Sequence, residues 1–247
     1  MDTTRIAELL CPYVEDAEPS PALLAQLQRY LDLLLRWNAR VNLTAVRNPE
    51  EIVIRHFGES LFATRVLFGA RGISDALPQG LKPASHPAPY GRAEAVSFQS
   101  TVRCGSLADV GSGAGFPGVP MKLFAPELAL TLIESHNKRA TFLREVVRTL
   151  GLEGVDVFCG RAEHWGKTAD LVTLRAVEQF ERTLPAAAAL VAAGGKLCLL
   201  IGAGQIATAQ EILGVGWCWA EPELVPRSSR RVVLVANAAS RAADADT

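Results

Sequence analysis

LADVGSGAGFPGVP, residues 107–120, is the stretch on which the fold turns. Four glycines and two prolines crowd its fourteen positions, after a short apolar run and before a helical pattern. A first strand-to-helix turn with this glycine content lets backbone approach a ligand closely. The helix N-terminus behind it favours anionic or polar groups. Read literally, Gly113, Gly115 and Gly118 spell the G-x-G-x-x-G of a dinucleotide-binding turn.

Asp109 and the additional Gly111 point elsewhere. An acid just ahead of the glycines has no role against a pyrophosphate and would repel it. Near a strand end it is better placed to accept from an ammonium group or an ordered water. That suits a cofactor with a cationic amino-acid end, and S-adenosylmethionine has one. Glu134 closes the next strand, nineteen residues after Gly115. A carboxylate there can accept from both ribose hydroxyls, a feature that adenosylmethionine and NAD sites share.

From the loop toward the C-terminus, strands alternate with helices. The strands fall at 107–110, 129–133, 155–159, 171–174 and 196–201, and the helices at 117–124, 138–150, 178–192 and 205–213. This order predicts an α/β doubly wound, mostly parallel sheet of the Rossmann-like type, covered on both faces. Two closing strands, 217–221 and 231–236, have no helix between them and predict an antiparallel hairpin at the sheet edge. Residues from 238 onward read as a frayed tail.

Ahead of the loop the pattern is helical. Residues 21–38 carry apolar side chains at helical spacing behind a Ser20-Pro21 start, and Pro49 to Phe68 reads as a further helix with Asn48 as its cap. Residues 1–70 therefore form a small helical unit, and 105–247 the ligand-binding domain. Between them, 71–104 hold Pro78, Gly80, Pro83, Pro87, Pro89 and Gly91 with no surviving period, which reads as an insert or mobile loop.

Two further positions carry two readings each. Arg161-Ala162-Glu163 falls where a loop can cover an adenine, with Glu163 accepting from the exocyclic amine, or else it is an exposed charged turn. Arg175 directly follows a strand on the edge where ligands sit in such sheets, and serves there as a clamp or pairs locally with Glu178.

Composition narrows the partners. A net charge of −1 and a pI near 6.4 give no global field for nucleic acid or membrane, so any RNA contact needs a local basic patch. Residues 29–71 supply one, with seven arginines against four acids. Arg36, Arg40, Arg47 and Arg55, with His56, Lys138, Arg139, Arg230 and Arg231, are candidates to line it; solvated helix faces are the competing reading for each. His56 is equally readable as a hydrogen-bonded structural residue, and Trp37 and Phe57 as core. Five scattered cysteines without a C-x-x-C pair predict no metal site and reduced thiols, hence a cytoplasmic location. The most apolar region, Leu184 to Ala203, is broken by Pro185, Gly194, Gly195 and Lys196, so no membrane span is expected.

Several stretches together resemble the RsmG (GidB) family, methyltransferases that place a methyl group on N7 of a guanine in 16S ribosomal RNA. They are Trp37-Asn38, Asn42-Leu43-Thr44-Ala45, His56-Phe57 and Glu59-Ser60-Leu61. The likeness resumes from Asp109 to Gly118 and continues through Glu134-Ser135, Lys138-Arg139, Phe142-Leu143, Arg161-Ala162-Glu163 and Arg175-Ala176. The resemblance implies a class I methyltransferase fold and S-adenosyl-L-methionine as cofactor. It places cofactor contacts at Gly111, Phe116, Ala162, Glu163 and Arg175, with Glu134 at the ribose. With Asp109, Gly113 and Gly115 these make up the candidate cofactor site, and Arg175 is the positioning candidate. Three positions depart from the family: Glu59 replaces Asp, Leu174 replaces Ser, and Ile201 replaces Lys. The resemblance sets Glu59 and Leu174 beside the guanine pocket, where Ile201 removes a positive charge.

The implied partner is 16S rRNA or the small ribosomal subunit particle, with the protein acting as a monomer. Guanine N7 holds its lone pair at neutral pH, so no general base is expected, and the chain's work is alignment. Two other functions compete: an NAD-dependent oxidoreductase, and a non-catalytic RNA-binding or ribosome-assembly protein that keeps the fold.

Overall fold

A computed structural model of the protein describes residues 1–14, 19–69, 105–175 and 180–239. The expected insert at 71–104 and the tail beyond residue 239 lie outside them.

Helical segments come first. Helix α1 (Thr3–Val14) precedes α2 (Pro21–Asn38), whose first turn is capped by the Ser20 hydroxyl accepting from the Leu23 amide at 3.2 Å. The predicted helix 49–68 is one helical run with a widened middle. It comprises α3 (Pro49–Ile52), a π-helical turn over Val53–Gly58, and α4 (Glu59–Phe68). Asn48 caps its start, its Oδ1 accepting from Glu50 and Glu51 at 2.8 and 3.3 Å. Wide turns of this kind occur often at functional sites, and this one carries Arg55 and His56.

The rest alternates as expected: β1 (Ser106–Val110), α5 (Gly118–Phe124), β2 (Ala129–Glu134), α6 (Asn137–Leu150), β3 (Val155–Cys159) and β4 (Ala169–Arg175). Then follow α7 (Phe180–Ala188), β5 (Val191–Gly202), α8 (Ile206–Leu213), β6 (Trp217–Trp219), β7 (Glu223–Leu224) and β8 (Arg231–Ala238). The sheet order is β3-β2-β1-β4-β5-β8-β6, with β7 paired to β8. The first five strands are parallel, and β8 enters antiparallel between β5 and β6. The chain winds outward from β1 to β3, then returns to the other side of β1 as β4. This reversal opens a crevice at the carboxyl ends of β1 and β4.

Several elements differ from the sequence reading: the expected strand 217–221 stops at Trp219, and a short unexpected strand, Glu223–Leu224, also pairs with β8. The helix expected to reach residue 192 ends at Ala188, because β5 begins at Val191, pairs with Ala169 and then shifts register against β4. The alanine-rich run there has no period of its own, so the ladder decides its state. Ala238, read as tail, is the last residue of β8 and pairs with Trp217.

Alternation along each strand divides the core. Ala108, Val110, Val172, Leu174, Leu199 and Ile201 join the cluster shared with α7 and α8. Leu107, Leu130, Leu132, Leu171, Cys198 and Leu200 face the other way, into a cluster that also holds Ile6, Leu27, Tyr30, Ile52, Phe57 and Leu61. The N-terminal helices and α5 and α6 thus share one continuous core on one sheet face.

Candidate functional site

The glycine loop is shaped from beneath by Asp109. Its side chain has the parity of Leu107 and points toward the face covered by the N-terminal helices, where it is buried. Oδ1 accepts from the Thr173 hydroxyl at 2.8 Å, its cross-strand neighbour on β4, and Oδ2 accepts from the Gly118 amide at 3.2 Å. Burial pushes this carboxyl up to about 6, against hydrogen bonds that pull the other way. Asp109 does not line the cavity described below. Against the expectation that it accepts from an ammonium or an ordered water, Oδ1 is engaged by Thr173 on β4 and Oδ2 by Gly118 of the loop, with the side chain turned away from the cavity.

Above Asp109, Gly111, Gly113 and Gly115 adopt φ of +67°, +58° and +90°. The loop folds back over β2, with the amides of Gly111 and Ser112 both donating to the Ile133 carbonyl at 2.9 and 3.1 Å. Gly113 donates to Glu134 Oε2 at 2.9 Å. Glu134 Oε1 accepts from the His136 amide at 2.8 Å, so one buried carboxylate fixes both the loop and the start of α6.

The N-terminal helices close the other side. The buried Tyr30 hydroxyl donates to the Ala114 carbonyl, and its ring stacks on Phe116 at 5.3 Å. Phe116 also meets His56 at 4.8 Å and Phe57 at 5.3 Å. Next to them Asn38 holds the Asn42-Leu43-Thr44-Ala45 segment, its Oδ1 accepting from the amides of Leu43 and Thr44 at 2.9 and 3.0 Å. Thr44 Oγ1 lies 2.8 Å from His56 Nε2. Burial, then the charges of Arg175, Arg55 and Arg231, hold the His56 imidazole down at about 2, so it is neutral.

Between these walls lies a cavity of about 670 Å³. Of the sequence candidates, Gly111, Gly113, Phe116, Glu134, Ala162, Glu163, Arg175, Arg55, His56 and Arg139 line it; Asp109, Gly115, Arg36, Arg40, Arg47 and Lys138 do not. Gly115 faces the core, where an added Cβ would meet the Tyr30 hydroxyl and Val119. Arg47 donates to the Asn38 carbonyl at 2.8 Å and to Asn42 Oδ1 at 2.9 Å, bracing the loop. Arg36, Arg40 and Lys138 stay on the surface. Glu163 pairs with Arg161 at 2.9 Å, both half-exposed at the cavity rim.

Arg175 is largely enclosed, its side chain 11% exposed. Its Nη2 donates to the Arg55 carbonyl at 2.6 Å and to Glu59 Oε2 at 3.0 Å, and burial lowers its pKa. Glu59, buried at 2% exposure, also meets Arg231 at 2.6 Å. Glu178 lies outside the described residues, and this pairing with Glu59 reaches across 116 positions. Of the three departures, Glu59 lines the cavity, whereas Leu174 and Ile201 are buried in the core against α7 and α8 and do not. Their expected place at a guanine pocket is corrected: both side chains are taken up in the packing of the sheet against α7 and α8.

Tyr30 and Thr173 escaped the sequence reading. Tyr30 sits on the apolar stripe of its helix like any core residue. Thr173 carried a signal, a lone hydroxyl inside the apolar strand Leu171–Leu174.

Comparison with known proteins adds the rest. The family model described as "GidB: rRNA small subunit methyltransferase G" matches residues 23–75 and 93–212. A ribosomal RNA small subunit methyltransferase G of an Exiguobacterium species is 35% identical over 210 residues, covering 81% of this chain and 75% of that protein. The one of Xylella fastidiosa is 36% identical, covering 72% of this chain and 68% of its own. Among solved structures, a predicted O-methyltransferase of Agrobacterium tumefaciens shares the fold. Its TM-score is 0.50 and its identity 19%, over 58% of this chain and 78% of that one.

Proposed function

This chain belongs to the rRNA small subunit methyltransferase G (GidB) family, and from that premise we propose that it transfers a methyl group from S-adenosylmethionine to N7 of a guanine in 16S rRNA. One observation carries the reading. The glycine loop and the ring of Arg55, Arg139, Arg175 and Arg231 open into a single cavity at the sheet's switch point. A cofactor pocket and a cationic mouth for RNA therefore share one space. The family match disfavours the NAD-dependent oxidoreductase and the non-catalytic protein, since the family is one of methyltransferases.

The residues present fit the cofactor. Gly111 and Gly113 leave bare backbone along the cavity wall; a Cβ at Gly113 would approach only the Gly111 carbonyl, at 3.7 Å. Glu134 reaches the same wall from the end of β2, placed for a ribose, and Ala162 and Glu163 bound the side where an adenine would lie. S-adenosylmethionine supplies an electrophilic methyl group on a sulfonium.

The chain's own contribution is alignment. N7 carries an available lone pair, so no side chain must remove a proton before attack. The Phe116 ring, packed between Tyr30 and His56, gives the cavity a rigid apolar wall. Arg175, tied to Arg55 and Glu59, holds its position when the cavity fills. Such preorganisation keeps reacting atoms at ~3–3.5 Å and supplies much of the rate. Among the described residues no helix is long and apolar enough to cross a membrane.

The test is methyl incorporation from labelled S-adenosylmethionine into small-subunit RNA or particles lacking the modification, with the site mapped in cells with and without the gene. Label on N7 of one 16S guanine is expected. Label on a small molecule with none on RNA would sink the reading.

A further inference from the structure

Among the described residues, three buried side-chain polar atoms have no hydrogen-bond partner: His56 Nδ1, Glu59 Oε1 and Arg231 Nε. All three residues line the same cavity. Buried polar atoms are almost always satisfied, so a group of three at one place marks partners supplied from outside the chain. They form one patch. His56 and Glu59 lie three residues apart across the junction of the π turn and α4, and Glu59 contacts Arg231 at 2.6 Å without the alignment of a hydrogen bond.

Their chemistry can be assigned atom by atom. Glu59 Oε2 accepts from Arg175, while Oε1 has the Arg231 Nη2 contact at 2.6 Å but no aligned hydrogen bond, and so keeps lone-pair capacity as an acceptor. Arg231 Nε is a donor. The Thr44 hydroxyl accepts from the Val46 amide at 3.2 Å, and we assign its own proton to His56 Nε2 at 2.8 Å. That tautomer leaves Nδ1 protonated and a donor. The patch therefore offers one acceptor beside two donors.

We propose that His56, Glu59 and Arg231 form the subsite that reads the six-membered edge of the acceptor guanine, the two donors on O6 and Glu59 on N1–H. This rests on the guanine-N7 reading above. The O6 carbonyl has two lone pairs and takes both donors, while N7 stays free. Adenine would present an amine to those donors and no proton to Glu59, leaving buried groups unpaired on both sides. Glu59 gains a second role. Methylation at N7 puts positive charge on the ring and acidifies N1–H, so a carboxylate there binds the transition state better than the ground state.

The experiment uses the full chain and small-subunit particles whose target position carries guanine, inosine or 2-aminopurine. Inosine keeps O6 and N1–H, whereas 2-aminopurine lacks both. Guanine should be methylated, inosine within about tenfold of it, and 2-aminopurine roughly 10- to 100-fold more slowly. Equal use of guanine and 2-aminopurine overturns the subsite but leaves the reaction standing; no methylation of guanine overturns the reaction itself. Glu59→Gln, which keeps an acceptor for Arg175, should lower kcat and shrink the guanine preference. An unchanged preference in folded Glu59→Gln removes Glu59 from the subsite. Should that variant not fold, the base series on the unaltered protein decides.

Discussion

Tyr30 on α2 donates its buried hydroxyl to the carbonyl of Ala114, eighty-four residues later and inside the glycine loop. Through this contact the helical region at the start of the chain shapes the wall of the cavity. Tyr30→Phe keeps the ring and its stacking on Phe116 but strands the carbonyl. A stability loss of about 1–3 kcal/mol is expected, with several-fold weaker S-adenosylmethionine binding, measured by denaturant unfolding and calorimetry. Unchanged affinity in a destabilised protein would show that the loop holds its shape without Tyr30.

Asp109 should make stability depend on pH. Its folded-state pKa of about 6 lies above the ordinary 3.8, so the folded protein binds this proton more tightly than the unfolded chain. The contribution is fully present below the ordinary value and is lost as pH rises through the folded one, amounting to roughly 3 kcal/mol. Asp109→Asn removes the titration. Unfolding midpoints of the two proteins, followed between pH ~4 and ~7, should change with different slopes; parallel curves would contradict the assignment.

Gly118 is where the loop enters α5, and an added Cβ would lie 2.8 Å from Asp109 Oδ2 and 2.9 Å from its Cβ. Gly118→Ala should cost about 1–3 kcal/mol by overpacking. Gly204→Ala is the control, since a Cβ added there would meet nothing within 4 Å. Thermal melts of both variants check the contrast.

Arg175 and Glu59 are a buried pair spanning β4 and α4. Arg175→Met leaves Glu59 with Arg231 alone and should destabilise by about 3 kcal/mol or more. Arg175→Lys keeps a charge but gives up the planar guanidinium that reaches both Glu59 and the Arg55 carbonyl. It should retain most of the stability while kcat/KM falls, a split visible by combining melts with methyl-transfer kinetics.

Surface arginines divide into two kinds. Arg36 and Arg40 are exposed near the end of α2, whereas Arg47 is spent on the Asn38 and Asn42 contacts. If Arg36 and Arg40 touch phosphates, replacing both with Ala should flatten the salt dependence of RNA binding by about 0.7–0.9 for each phosphate no longer neutralised. Arg47→Ala should instead lower the melting temperature. Binding titrations across salt concentrations test the first, and melts the second.

The alternating architecture was legible in the residues, because strand and helix periods are local, and Ser20 and Asn48 cap the helices that the pattern marks. The sequence also marked the glycine loop, since positive φ at Gly111 and Gly113 favours glycine. Only the fold settled which way individual side chains face. Asp109 turned inward to Thr173, Leu174 and Ile201 went to the opposite face, and Arg175 found Glu59 across 116 residues. Those outcomes follow from strand parity and long-range packing, which no short stretch of sequence contains. The loop was legible because its chemistry lies in consecutive residues; the ring of His56, Glu59, Arg175 and Arg231 was not, because only the fold brings its members together.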